Sequence, residues 1–252
     1  MLAVEQFGRL LVLVAHPDDE TIACSGLLQR AAASLVVFAV DGAPPRYGFE
    51  RQFGSLRQYS EARFVEASRA LSHIPHCSVR RLDRPDGTWF LDQHLFLELP
   101  EAFASLTRIA EEFSPDLMFS HAFEGGHIDH DACHILAKRT AQALALKILE
   151  FPLYWRSEDG NDLFQQFRDS SEGEFMLQLS QQERVVKRKM LLEYRTQQNL
   201  LSVFQLESER FRPGRGYNAK PIWREYPFEN RRRALKVESF LKKVAEFHGR
   251  SF

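Results

Sequence analysis

Residues 10–15, Leu-Leu-Val-Leu-Val-Ala, are apolar without a break and run straight into His16-Pro17-Asp18-Asp19-Glu20. A strand with one wet face alternates apolar and polar residues. An unbroken run is the pattern of a strand covered on both faces, as in a parallel sheet between layers of helices. Similar short runs recur at Leu35–Val40, Val79–Leu82, Asp116–Ser120 and, around Pro152, Ile148–Trp155. Helical spacing fills the intervals, over Glu20–Ala33, Phe53–Ser72, Leu95–Phe113 and Asp131–Leu146. Strands alternating with helices predict β-α-β units, and hence an α/β, Rossmann-like three-layer sandwich with a mainly parallel sheet.

After Trp155 the pattern changes. Arg156–Glu174 is polar and reads as loop, Leu179–Phe204 as a long helix, Phe211–Gly216 as a turn-rich loop and Asn230–Phe247 as a charged helix. The expectation is a single domain over 1–252, with a core at 1–155 and a helical and loop extension at 156–252. A chain of 252 residues can bury a sizeable core without staples.

Composition narrows the function classes. With 33 Lys and Arg against 34 Asp and Glu there is no basic footprint for nucleic acid. The local runs Arg184–Arg188 and Arg231–Arg233 read as solvated helix faces. Three scattered cysteines, Cys24, Cys77 and Cys133, form no C-x-x-C and no disulfide framework, which suits a reducing cytoplasm. The N-terminus lacks a secretory pattern, and no apolar run approaches the ~18–20 residues of a membrane helix. No G-x-G-x-x-G follows the first strand, so the usual dinucleotide fingerprint is missing. A small-molecule substrate, no nucleic acid, no membrane insertion and an open question of homo-oligomer formation are expected.

In an open parallel sheet, ligands sit beyond the carboxyl ends of the strands. The first strand brings His16, Asp18, Asp19 and Glu20 to that rim. The fourth brings Ser120-His-Ala-Phe-Glu-Gly-Gly-His-Ile-Asp-His-Asp131, with His127, Asp129 and His130. Adjacent carboxylates are tolerable when a divalent cation sits among them. An acid-rich helix N-terminus, favoured by the macrodipole, is the plainer account of the first cluster alone; two such clusters on one rim favour a metal. Imidazole and carboxylate donors suit zinc, with Fe²⁺ or another divalent ion as competitor. A catalytic zinc takes three protein ligands and keeps one position for water. His16 and Asp19, three residues apart, can face one point, and the third ligand is His127 or His130. Asp18 then stands where a general base belongs. The remaining histidine polarises a carbonyl or protonates a leaving group, held in one tautomer by Asp129.

These clusters resemble the zinc-dependent deacetylases of the PIG-L/LmbE family. Ala15-His-Pro-Asp-Asp-Glu20 repeats the family's first signature without change, and His127-Ile-Asp129-His130 repeats the second, His-x-Asp-His. The similarity runs from Leu10 to about Trp155, and Lys189–Gln197 looks like the family's Lys…Tyr-x-x-Gln segment. The resemblance implies that His16, Asp19 and His130 bind Zn²⁺, that Asp18 is the base, and that His127, oriented by Asp129, stabilises the oxyanion or acts as acid. It further implies that Arg63, in Arg63-Phe-Val-Glu66, and Asp86 contact a substrate sugar; read alone, these are a helix-surface pair and a turn residue. A tyrosine that some members place two residues before the first histidine of the second signature is Gly125 here. The implied activity is removal of the N-acetyl group from an N-acetylated amino sugar, such as a GlcNAc-type moiety, with release of acetate. An amidase or deacylase acting on a thiol conjugate or lipid-linked sugar, and a non-catalytic sugar-binding module, are the alternatives.

Overall fold

The computed structural model describes residues 7–44, 50–169, 172–216 and 237–249. The unbroken apolar run becomes β1 (Phe7–Val14) in the middle of a seven-stranded sheet. It pairs in parallel with β2 (Ala31–Phe38) on one side and β4 (Leu117–His121) on the other. Parallel pairing continues to β3 (Cys77–Arg81) and to β5 (Lys147–Phe151). The chain thus adds strands to one side of β1 first (β2, β3) and then to the other (β4, β5), and a crevice at such a switch point is where open α/β sheets bind ligands.

The two faces of β1 explain why the run is unbroken. Leu11 and Leu13 pack with Leu106 and Ile109 of α4 (Leu99–Phe113) and Leu136 of α5 (Ile128–Ala143). Leu10, Val12 and Val14 pack with Leu27 of α1 (Asp19–Arg30) and Ala67 and Ala70 of α3 (Leu56–Leu71). A short α2 (Glu50–Phe53) precedes α3. Phe240 and Val244 of α8 (Val237–Phe247) complete the first layer; residues 230–236 of the expected final helix lie outside the described residues.

Several boundaries differ from the sequence expectation for physical reasons. The helix expected from Asp131 begins at Ile128, so Asp129 and His130 lie on its first turn rather than in a loop. The strand expected around Pro152 divides into β5 and β6 (Tyr154–Arg156), because proline has no N–H for a ladder. β6 forms a two-stranded ribbon with β7 (Asp162–Phe164), within the stretch read as loop.

The segment expected as one long helix, Leu179–Phe204, holds α6 (Gln181–Glu193) and α7 (Gln198–Leu201), and β8 (Phe175–Gln178) directly precedes it. Between α6 and α7, side chains bond to distant partners. Thr196 Oγ1 donates to Glu66 over 2.6 Å and Gln197 Nε2 to the Tyr59 hydroxyl over 2.7 Å. The turn-rich loop expected at Phe211–Gly216 overlaps β9 (Ser208–Pro213), which pairs antiparallel with β5 and β8. Its buried positions include Glu209 and Arg212, so apolar patterning could not reveal it.

Glu209 also holds α1 together. That helix departs from helical geometry at Cys24, with φ −143°. The Glu209 carboxylate accepts the N–H groups of Gly26 and Leu27 and the Ser25 hydroxyl just beyond the break, at 2.9–3.1 Å. Lys187 Nζ, fully buried, donates to Glu209 over 3.0 Å and to the Ile22 carbonyl over 2.8 Å. Removing one partner of a buried pair strands the other charge, at about 3–5 kcal/mol. Lys187→Met should therefore lower the free energy of urea unfolding by about that amount; superimposable denaturation curves would contradict the assignment.

Candidate metal centre and catalytic pocket

β1 ends one residue before Ala15, and the chain must turn sharply to start α1 at Asp19. Asp18 sits in that turn with φ 134° and ψ −30°, a conformation costly for a residue with a side chain. Hydrogen bonds from the neighbouring acids hold it. The Asp19 carboxylate accepts the His16 N–H at 2.8 Å, and Glu20 Oε2 accepts the Asp18 N–H at 3.1 Å. Glu20, fully buried, is held in turn by the hydroxyls of Thr21 and Tyr194, the latter at the end of α6. Burial pushes the Glu20 carboxyl up to about 7.

Asp18 faces the pocket and meets Arg63 Nη2 at 3.1 Å. The same guanidinium donates to the carbonyls of Pro17 and Gly42, which fixes it in place. Burial raises the Asp18 carboxyl to about 7 against the opposing pull of Arg63, with Asp19 adding to the rise.

Asp19 lies at the centre of an imidazole cluster. Its Oδ2 is 3.4 Å from His16 Nδ1, 3.5 Å from His130 Nε2 and 3.4 Å from His121 Nε2. Burial opposes its ionisation, yet His130, His121 and His16 together hold the carboxyl well below its ordinary range. The other face of His16 points at two further acids, with Nε2 3.4 Å from Asp92 and 3.7 Å from Asp129. Burial disfavours charge on His16, but Asp92, Asp129 and Asp19 outweigh it and raise the ring well above its usual value.

The second cluster is shaped by its loop. The Asp131 carboxylate accepts the N–H groups of Glu124 and Gly125, and the Glu124 carboxylate accepts that of Leu153. Gly126 passes so close to β6 that a Cβ there would lie 2.0 Å from the Tyr154 carbonyl oxygen. His127 caps α5, its Nδ1 accepting the Asp129 N–H at 3.2 Å. The neutral ring then carries its proton on Nε2. Burial, reinforced by His16, lowers the His127 ring to about 4. Asp129 accepts the Gln93 N–H at 2.6 Å, and Asp92 donates its own N–H to Asp41, so the loop after β3 is pinned against the site.

Three groups of donors have mutual distances within 4.8 Å: His16, His127 and His130; His16, Asp92, His127 and Asp129; and Asp19, His121 and His130. The expected trio of His16, Asp19 and His130 spans the first and third groups, with Asp19 between the two rings. A divalent cation fits this chemistry: both ring nitrogens of His130, Nε2 of His16 and one carboxylate oxygen each of Asp92 and Asp129 are buried without a hydrogen-bond partner. Buried polar atoms of this kind require a partner.

His16, Asp18, Asp19, Asp92 and His127 line a cavity of about 590 Å³, which Arg63 also lines. Asp86 does not reach it: the residue is exposed in a turn, bonded to Thr88. Glu66 faces Thr196 instead of the cavity. His121, Asp92 and Gln93 were missed by the sequence reading. His121 stands inside the second polar cluster, directly after the Asp116–Ser120 run, and its position was the available signal. Asp92 and Gln93 carry no motif; only their place on the loop after a parallel strand points to the rim.

Relatives fit this frame. A curated 1D-myo-inositol 2-acetamido-2-deoxy-alpha-D-glucopyranoside deacetylase of Streptomyces scabiei (strain 87.22) is 27% identical over 160 residues, covering 53% of this chain and 48% of that protein. The chain thus matches about half the length of that relative. Among solved structures, a triple mutant of the deacetylase in the teicoplanin biosynthetic pathway superposes with TM-score 0.63 at 21% identity, over 81% of this chain and 97% of its own. The 4-carboxy-2-hydroxymuconate hydratase of Pseudomonas putida KT2440 superposes with TM-score 0.51 at 14% identity, over 86% of this chain and 100% of its own. At these identities the likeness is one of fold, and a hydratase on the same frame separates fold from reaction. Residues 11–141, more than half of the 252, match the family model PIG-L, GlcNAc-PI de-N-acetylase, and the chain belongs to that family.

Proposed function

We propose that this chain is a metal-dependent hydrolase that removes the acetyl group from an N-acetylated amino sugar. One observation carries the proposal: His16, Asp18, Asp19 and His127 line a single cavity, and His130 lies directly behind it, 3.5 Å from Asp19. His16, Asp19 and His130 are the residues that would hold the ion, with zinc the first candidate and Fe²⁺ its competitor. A divalent cation supplies Lewis-acid polarisation of the acetamide carbonyl and makes a nearby water more acidic.

The chain's own groups account for the proton transfers. Asp18 takes a proton from the attacking water as the new C–O bond forms, and a carboxyl near 7 is suited to that task at neutral pH. His127, uncharged at neutral pH, presents its Nε2–H to the carbonyl oxygen as negative charge develops there. As the C–N bond breaks, Asp18 returns its proton to the amine nitrogen, leaving a free amine and acetate. Arg63, Asp92 and Gln93 offer hydrogen bonds to sugar hydroxyls. Asp92 takes the place in this scheme that Asp86 had in the sequence reading. No helix among the described residues is long and apolar enough to cross a membrane; a cytoplasmic location and a small-molecule substrate complete the proposal.

The direct test is acetate release from a panel of N-acetylhexosaminides, which should stop with a chelator and return with zinc. Asp18→Asn should keep its metal content and lose a factor on the order of 10² to 10⁴ in kcat; undiminished turnover would remove Asp18 from the base role. Arg63 favours the ionised form of Asp18, and the base works only when ionised. In Arg63→Met the acidic limb of the kcat/KM profile should therefore move to higher pH, and an unmoved limb would show that the guanidinium does not tune the base. Tyr194→Phe leaves Glu20 with one hydroxyl fewer behind the strained turn. We expect a lower kcat with little change in KM or bound metal, whereas a rise in KM alone would point to substrate contact.

A further inference from the structure

The cavity lining is chemically divided. Arg63, Asp92, Gln93, Gln197 and Asn199 supply polar groups. Tyr154, Phe164, Phe204, Leu200 and Val203 supply none towards a ligand except the tyrosine hydroxyl. The three aromatic residues form one patch, and Leu200 and Val203 line the same cavity. The rings of Phe164 and Phe204 meet edge-to-face at 5.4 Å, and Tyr154 lies 6.4 and 6.5 Å from them. The patch starts at the metal centre, where the Tyr154 ring is 4.9 Å from that of His130. At the mouth, Leu200 and Val203 are 66% and 54% exposed.

Such a patch selects what lies against it. A second sugar or a peptide there would give up hydrogen bonds to water and receive few in return. An apolar group would gain from leaving water. On the deacetylase reading, which this inference depends on, the acyl group is a single methyl beside the metal and cannot extend to Leu200 and Val203. The sugar hydroxyls are matched by the polar lining. The group left to reach the mouth is the substituent on the anomeric oxygen.

We propose that the substrate is an N-acetylated amino sugar carrying an apolar aglycone, an aryl or alkyl group, seated on Tyr154, Phe164, Phe204, Leu200 and Val203. The cavity of about 590 Å³ lies well within the range of sites that hold drug-sized ligands, consistent with a sugar plus such a group.

The test uses the zinc-loaded full chain and four probes: N-acetylglucosamine and its methyl, phenyl and octyl β-glycosides, the last below its micelle concentration. Phenyl and octyl glycosides should exceed the methyl glycoside in kcat/KM by about tenfold or more. Leu200→Ser and Val203→Ser, changes at exposed positions that the fold tolerates, should shrink that ratio. Equal values for methyl, phenyl and octyl, with acetate released from all, would overturn the apolar subsite and leave the deacetylase reading intact. A gain for N-octanoylglucosamine over N-acetylglucosamine, without one for the octyl glycoside, would place the acyl chain on the patch and also overturn the proposal. If no probe is turned over, the deacetylase reading fails, and calorimetric binding decides the subsite alone: tighter binding of octyl than of methyl glycoside supports it, and equal binding overturns it.

Discussion

Three consecutive carboxylates can end a buried strand because each is directed to a different environment. Asp18 points into the cavity against Arg63, Asp19 into a ring of histidines, and Glu20 back into the protein against Tyr194 and Thr21. The sharp turn at Asp18 makes this divergence possible, since successive side chains leave it in different directions. The turn is strained, and the strain is held by the side chains on either side of it. The remainder of the site is arranged about that turn: β4 brings His121 alongside, α5 brings His127 and His130, and the loop after β3 brings Asp92.

Much of this was legible in the residues. The apolar runs located the five parallel strands because strands buried on both faces leave a plain signature. The polar clusters at the ends of the first and fourth runs marked the rim, and the order of strands places them side by side at the switch point. What stayed hidden shares one cause, the burial of polar groups by pairing. β9 looked like a loop because Glu209 and Arg212 are buried in ion pairs rather than apolar contacts. The helix expected through Tyr194 is interrupted because Tyr194, Thr196 and Gln197 bond to Glu20, Glu66 and Tyr59. Asp92 was out of reach because its partner His16 is distant in sequence, whereas Asp86, the acid nearer the expected position, is spent on its own turn.

The division between fold and chemistry is visible in the same features. The sheet and its helices deliver loop residues to one edge, and that frame serves more than one reaction. The proposed chemistry depends on details that a change of one residue would erase: which ring nitrogen of His127 carries the proton, how far Arg63 stands from Asp18, and how closely Gly126 passes the backbone of β6. The absence of a tyrosine at position 125 belongs with these details. Room there is set by the Asp131 carboxylate folding the loop onto itself, and in the proposed mechanism proton transfer falls to Asp18, with His127 as the hydrogen-bond donor.

The Glu209 cap on the broken helix α1 reaches beyond the integrity of that helix. The strand that supplies it lies more than sixty residues after the end of the family-matched segment at 141, yet it completes the helix that begins at Asp19. A fragment cut to the recognised segment would carry every side chain proposed to hold the metal and lack the anchor of the helix that begins at one of them. The minimal autonomous unit is therefore longer than the region in which the signature is written, and boundaries for recombinant pieces should be drawn after β9.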